Sequence, residues 1–294
     1  MNVSAPKVTI LIPNYKTLML TKLCLRLIRK HTDPAMARVV VIDNDSNDAS
    51  TDYLKSLTWI ELIERKRVEG EIPALSHSMA LDLALERVTT PYILSIHTDT
   101  FVKNSSWLPA LINEMEKDTD IAGVGSWKLE KPPSLYKRLW KIIEFRIRSM
   151  VYRILGNKDR LEHVMAQRKS GYYDLIQPDS LNLNDHNGGY YYLRSHCALY
   201  RMDLIKKYNI GFSSGKKTAG SHMHNILVKN GHKMVFLSID FLSRYLVHLN
   251  HATMVLHKEF GITSRTRRQG LKRIEKELKN LNADKILKDD SLDN

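Results

Sequence analysis

Short apolar runs closed by polar clusters alternate, through the first half of the chain, with longer stretches in which apolar residues recur every three or four positions. Residues 8–12 (VTILI), 39–42 (VVVI) and 92–96 (YILSI) are runs of the first kind. Such runs predict strands buried on both faces of a parallel sheet. The helical spacing between them predicts helices over 18–31, from about Ser50, over 76–87 and over 105–117, with residues 59–63 and 122–127 as further strands. The polar run DNDSNDAS stops the second strand and offers caps for the helix that follows. This alternation, with right-handed crossovers, predicts an α/β fold built on a doubly wound, mainly parallel sheet.

The pattern changes after Pro132-Pro133. Leu135, Leu139, Ile143, Ile147, Met150 and Ile154 recur at helical spacing among Lys137, Arg138, Lys141, Arg148 and Arg153, with Tyr136 and Trp140 near the start. This predicts a basic amphipathic helix over about 135–155, which either lies in a membrane interface or packs on a core with its basic face solvated. A polar loop (QPDSLNLNDHNGG) follows. The pattern then predicts a strand over 190–200, a helix from about Met202, a helix over 223–230, a strand over 233–237 and a basic helix in the tail beyond Lys258.

At 294 residues with 43% hydrophobic content, the chain can bury a sizeable core. Its formal net charge of +13 predicts attraction to polyanions: nucleic acid, an anionic membrane surface or phosphorylated substrates. Two cysteines, Cys24 and Cys197, are too few for a disulfide framework or a four-thiolate zinc site, which fits a reducing compartment. The opening MNVSAPKVTILIPNYK lacks the pattern of a signal peptide, and no run approaches the ~20 apolar residues of a membrane span. The expectation is a cytoplasmic protein, soluble or peripheral to the inner face of the membrane.

Candidate chemistry sits at strand ends. The run ILSIHTDTFV carries His97 and Asp99, two potential metal ligands, just past the carboxyl end of a buried strand, where open α/β sheets bind ligands. VTILIPNYK followed by VVVIDNDSNDAS resembles the opening of the GT-A glycosyltransferases, above all the large family 2 whose inverting members build polysaccharides and lipid-linked glycans. That family continues with a strand ending in D-x-D, a G-x-x-G-like strand, a variable acceptor region, a G-(Y/H)-(K/R)-V strand and a late His. Here HTD, GVGSWKL, NGHKMVFLS and LVHLNH follow in that order. The resemblance spans roughly residues 8–251.

The resemblance implies a Rossmann-like GT-A fold with a nucleotide-sugar-binding half over 1–130, an acceptor-binding and catalytic half over 131–257, and a basic tail over 258–294. It implies a nucleotide-sugar donor, UDP by default, a saccharide or lipid-linked acceptor, and a divalent cation that neutralises the diphosphate. Asp99 matches the metal-binding end of D-x-D and His248 the late His, so both are expected metal ligands. Pro13, Tyr15, Asp43 and Asn44 match the nucleotide cradle, and His97 and Thr98 take the first positions of D-x-D. His77, at a helix start, is expected near the donor phosphates. His97 replaces a carboxylate, and the softer imidazole favours Mn²⁺ over Mg²⁺.

The family's catalytic Asp has no counterpart before Gly231, where the chain reads TAGSHMH. His222 or His224, or Asp185 or Asp179 in the long loop, are the candidates to take the acceptor's proton, the alternative being a retaining transfer that needs no conventional base. Rival readings remain on the sequence. A nucleotidyltransferase would carry a Gly-rich, Arg-containing loop that IPNYKTL lacks. A nucleic-acid-binding protein would show aromatics clustered among basic residues, for which YYYL alone is little support. An inactive nucleotide-binding relative fits the missing acidic pair.

Overall fold

In the computed structural model, which describes residues 5–127, 129, 135–169, 191–213, 219–250, 252–256 and 263–294, the apolar runs become the strands of a seven-stranded sheet. The elements of the first half are β1 (Val8–Asn14), α1 (Leu18–His31), β2 (Ala37–Asp43), α2 (Ala49–Ser56), β3 (Ile60–Glu64), α3 (Pro73–Leu85), β4 (Tyr92–Ile96), β5 (Thr100–Val102), α4 (Trp107–Glu116) and β6 (Ile121–Gly125). Two helices, α5 (Leu135–Ile154) and α6 (Lys158–Lys169), come next. The last part comprises β7 (Cys197–Arg201), α7 (Met202–Tyr208), α8 (Ser221–Lys229), β8 (Lys233–Phe236), α9 (Ile239–Leu242), β9 (Leu246–His248), α10 (Ala252–Leu256), α11 (Ser264–Asn280) and α12 (Ala283–Leu287). Among the described residues, no helix is long and apolar enough to cross a membrane.

The sheet runs β3-β2-β1-β4-β7-β6-β8, with β7 antiparallel to both neighbours and the other pairs parallel. Because successive strand residues face opposite ways, β1 divides its side chains between two cores. Ile10 and Ile12 pack with α1 and α4, while Leu11 packs with α3, α7 and α8. Each such fully buried side chain contributes about 1.5–3 kcal/mol. The doubly wound architecture follows from this two-faced burial. The caps expected in DNDSNDAS are present: Asp48 is the N-cap of α2 and accepts from the Ser50 amide at 2.9 Å.

Three departures from the sequence pattern matter for the site. The strand expected over 190–200 begins only at Cys197, and residues 191–196 form an irregular approach. There the Arg194 amide donates to Ser126 O and the Cys197 amide to Arg194 O, a turn and cross-link that use the backbone groups otherwise. Second, β5 and β9 form a separate antiparallel pair that no apolar run announces, since each is three residues long. Third, the tail continues past its basic helix into a segment packed on α1. Beyond α11, the carbonyls of Ile286 and Leu287 and the carboxylates of Asp290 and Asp293 enclose the Arg26 guanidinium of α1, which is wholly buried.

Contacts divide the chain into two compact units, residues 1–129 with 187–294, and residues 130–186. In the second, α5 turns into α6 through Gly156, whose φ of 63° is one that glycine adopts without strain. Phe145, Ser149, Met150 and Met165 line a small recess between these two helices.

Candidate functional site

The carboxyl ends of β1, β2 and β4 converge on a cavity of about 590 Å³. Asn14, the last residue of β1, organises one side of it. Its amide nitrogen shares two hydrogens among three acceptors, Asp43 Oδ1 at 2.8 Å, Ser50 Oγ at 3.0 Å and Ser46 Oγ at 3.2 Å, and its carbonyl oxygen accepts from Thr21 at 2.6 Å. This fully used side chain binds the ends of two strands and the start of a helix into one rigid rim. Pro13, Tyr15 and Asn44 line the cavity on this rim. Asp43 does not line it: the Asp43 carboxylate is buried, taken up by Asn14 and by Thr51 Oγ1 at 2.8 Å, and orders the loop that presents Asn44. Asn44 in turn donates to Ser76 Oγ at 2.7 Å and accepts from Arg65 at 2.7 Å.

Past β4, His97, Thr98 and Asp99 line the opposite wall, and His77 reaches it from α3. The β5–β9 pair brings the distant His248 to this point by pairing it with Thr100. Asp99 fixes that approach, its carbonyl accepting from the Leu249 amide at 2.8 Å and its Oδ2 from the Ala252 amide at 3.3 Å. Asp99 Oδ1 then lies 3.4 Å from His248 Nε2 and 3.8 Å from His97 Nδ1, buried and without a hydrogen bond. His248 Nδ1 is likewise buried and unpartnered. Ligand atoms of His97, Asp99 and His248 all fall within 4.8 Å of one another.

Electrostatics keep Asp99 and His97 in the forms that bind a cation. Burial alone would push the Asp99 carboxyl up, but the His248 and His97 imidazoles and the Ala252 amide outweigh it and hold the carboxyl well below the ordinary range. Burial pushes His97 and His196 well below the usual imidazole value and His77 down to about 4. A neutral His97 imidazole offers a lone pair, and a carboxylate oxygen left bare between the His97 and His248 rings suits a divalent ion that accepts mixed nitrogen and oxygen ligands. The residues fit a metal on the strength of that orphaned oxygen.

Several lining residues went unforeseen. Tyr192, Arg194, Ser195 and His196 enter from the approach to β7. Because β7 runs antiparallel, with Cys197 opposite Ile96, its amino end lies where the parallel strands end. A polar Ser-His pair just before an apolar run was the available signal, readable only once that direction is known. His196 donates to or accepts from Ser126 Oγ at 2.9 Å and stacks on His248, ring centroids 4.6 Å apart. Arg67, also lining, lies over the Tyr15 ring at 5.2 Å.

The two histidine candidates for taking the acceptor's proton sit elsewhere. His224 is buried on α8, its Nδ1 accepting the Leu193 amide at 3.3 Å, and burial pushes it down to about 4. Neither His224 nor the half-buried His222 lines the cavity. Asp179 and Asp185 lie outside the described residues.

The sequence profile of glycosyl transferase family 2 matches residues 9–209. Among solved structures, the mannosyltransferase PcManGT from Pyrobaculum calidifontis, in complex with GDP-Man and Mn²⁺, is 16% identical with a TM-score of 0.51. That match covers 79% of this chain and 55% of the mannosyltransferase, so this chain spans little more than half of that protein's length. Residues 1–349 of S. aureus TarS match at 14% identity over 91% of this chain and 70% of that one, with a TM-score of 0.48. No curated protein sequence matches the chain.

Proposed function

From the chain's membership of glycosyl transferase family 2, to which it belongs by the match over residues 9–209, we propose that it transfers a sugar from a nucleotide diphosphate sugar to a saccharide or lipid-linked acceptor. The observation that carries this reading is the bare Asp99 Oδ1 facing His97 and His248 in a cavity that Tyr15 and Asn44 also line. Asp99, His97 and His248 would hold a divalent cation, Mn²⁺ before Mg²⁺ because two of the three ligands are imidazoles. Bound there, the cation supplies positive charge against the diphosphate as it becomes the leaving group. Pro13, Tyr15, Asn44 and Thr98 hold the nucleotide, with Asp43 supporting their rim from behind. His77 closes the wall from the second turn of α3, which begins at Pro73, so it is not at the helix start expected from the sequence.

UDP is the nucleotide to test first and GDP the second. Calorimetric titration of both, with and without Mn²⁺, on the wild type and on Asp99→Ala, tests the donor site. Tight manganese-dependent binding lost in the variant is the expected result, and absence of nucleotide binding under every condition sinks the reading.

Among the described cavity residues Asp99 is the sole carboxylate, and the cation takes it. We therefore carry Asp185 forward as the group that removes the acceptor's proton, ahead of His222 and His224. Asp185→Asn is expected to lower kcat by about 10²–10⁴ with donor affinity retained. The same scarcity of carboxylates favours a second reading, a nucleotide-binding subunit without transfer, which slow hydrolysis of the donor by the wild type would exclude.

We further propose that the enzyme works against an anionic membrane surface. On α5, Leu139, Trp140, Ile143 and Ile147 are 46–61% exposed, and the helix carries six Lys or Arg against one Glu. Apolar side chains at an open face flanked by cations suit the boundary between headgroups and acyl chains.

A further inference from the structure

Two histidines of the cavity converge on one hydroxyl. Ser195 Oγ lies 3.0 Å from His97 Nε2 and 3.0 Å from His77 Nε2. A serine hydroxyl has a single proton, so it can donate to one of these nitrogens at most, and at least one of the two imidazoles must bear its own proton on Nε2. Which one does so decides what His97 shows to Asp99 at its other nitrogen.

We infer that Ser195 is a positioning residue that holds His97 in the tautomer whose bare Nδ1 faces the cation site, through a relay in which His97 Nε2–H donates to Ser195 Oγ and Ser195 Oγ–H donates to His77 Nε2. The inference rests on the reading of His97, Asp99 and His248 as metal ligands. In this arrangement the lone pair of Nδ1 and the unpartnered Oδ1 of Asp99 face each other at 3.8 Å, a crowding of two acceptors that a cation would relieve. In the reverse relay Nδ1 would carry a proton toward Asp99 at a distance too long for a hydrogen bond.

The geometry is fixed by the fold and not by the serine side chain alone. Pairing of Ile96 with Cys197 sets Ser195 beside His97, and the Arg194 amide, bonded to Ser126 O at 2.9 Å, anchors the turn. The His77 ring meets His97 edge-on, centroids 4.7 Å apart, so neither ring swings freely. His77 thus acts at two removes from the cation, through Ser195 and then His97. Groups that orient a metal-binding imidazole through its far nitrogen typically change metal affinity 10- to 100-fold.

The test uses the full chain as wild type, Ser195→Ala and Ser195→Thr. Mn²⁺ affinity is measured by calorimetry, and imidazole tautomers are read from long-range ¹H–¹⁵N spectra of histidine-labelled protein loaded with diamagnetic Zn²⁺. The expected result is a 10- to 100-fold loss of Mn²⁺ affinity in Ser195→Ala, recovery in Ser195→Thr, and wild-type spectra with His97 protonated on Nε2 and His77 on Nδ1. Ser195→Ala should lose that His77 assignment. Failure of the wild type to take up either metal overturns the metal reading and the relay together. Metal uptake with equal affinities and unchanged tautomers in Ser195→Ala overturns the relay alone. So does a loss in Ser195→Thr as large as that in Ser195→Ala, because the hydroxyl would then not be what matters. The tautomer spectra report on the relay even where a variant folds less well.

Discussion

A carboxylate oxygen with no hydrogen-bond partner is costly to bury, so Asp99 Oδ1 must gain something in return. Asp99→Asn keeps the shape and removes the charge, and Mn²⁺ affinity should fall by about a hundredfold or more, beyond the effect of losing a group outside the ligand set. Calorimetry measures this directly. His97→Asp asks a different question. A second carboxylate replaces an imidazole in the site, so preference should move from Mn²⁺ toward Mg²⁺, and competition between the two ions for nucleotide binding reads the shift. An unchanged ratio would mean that His97 is not a ligand. Asp99 was legible in the sequence because a strand end two residues after a His is chemically conspicuous. His248 needed the order of motifs as well, since nothing near it in the chain marks it. Ser195 and His196 were not legible, because the direction of β7 decides which of its ends meets the cavity.

Elements, once formed, are held apart or together by single atoms. A Cβ at Gly125 of β6 would lie 2.5 Å from Cys197 O and 3.1 Å from Ala198 Cα, both backbone atoms of β7 that have no rotamer to escape into. Gly125→Ala should therefore push β6 from β7 and cost about 1–3 kcal/mol, as overpacking does. The same displacement reaches the turn over 191–196, so Mn²⁺ affinity should drop along with the melting temperature. A melt left unchanged would show that the strands tolerate wider spacing. On α5 the sequence left two readings open, interface or core. If α5 docks on a membrane through Trp140, Ile143 and Ile147, as proposed above, replacing the three together by Ser should abolish co-sedimentation with vesicles containing anionic phosphatidylglycerol. Retained binding would assign the interaction to charge alone, for example to the basic α11. The short elements β5, β9 and α12 escaped the pattern because three to five residues carry too little periodicity to register.

Across the whole molecule, stability depends on groups kept neutral or paired by burial. Removing the Arg26 side chain would strand the Ile286 and Leu287 carbonyls and leave the Asp293 carboxylate with the Tyr53 hydroxyl in place of a cation, so Arg26→Ala is expected to cost about 3–5 kcal/mol and to loosen the tail from α1. Protease sensitivity beyond residue 280 would report the loosening. The buried histidines set a separate limit. An imidazole in the unfolded chain takes up its proton near 6.5, whereas burial pushes His77 and His224 down to about 4. Between those values the unfolded chain binds protons that the folded chain refuses, so stability falls as pH drops from about 6.5 toward 4 and levels off below it. Each unit of separation is worth about 1.4 kcal/mol per group. His224 is the cleaner probe, because it lies off the cavity and Mn²⁺ does not compete for it. Its Nδ1 accepts the Leu193 amide, a bond that protonation would remove. His224→Gln keeps an acceptor there without a titrating group. Denaturant midpoints followed from pH 7.5 to 4.5 should then decline less steeply in the variant than in the wild type, and parallel declines would show that His224 is protonated as readily in the folded chain as in the unfolded one.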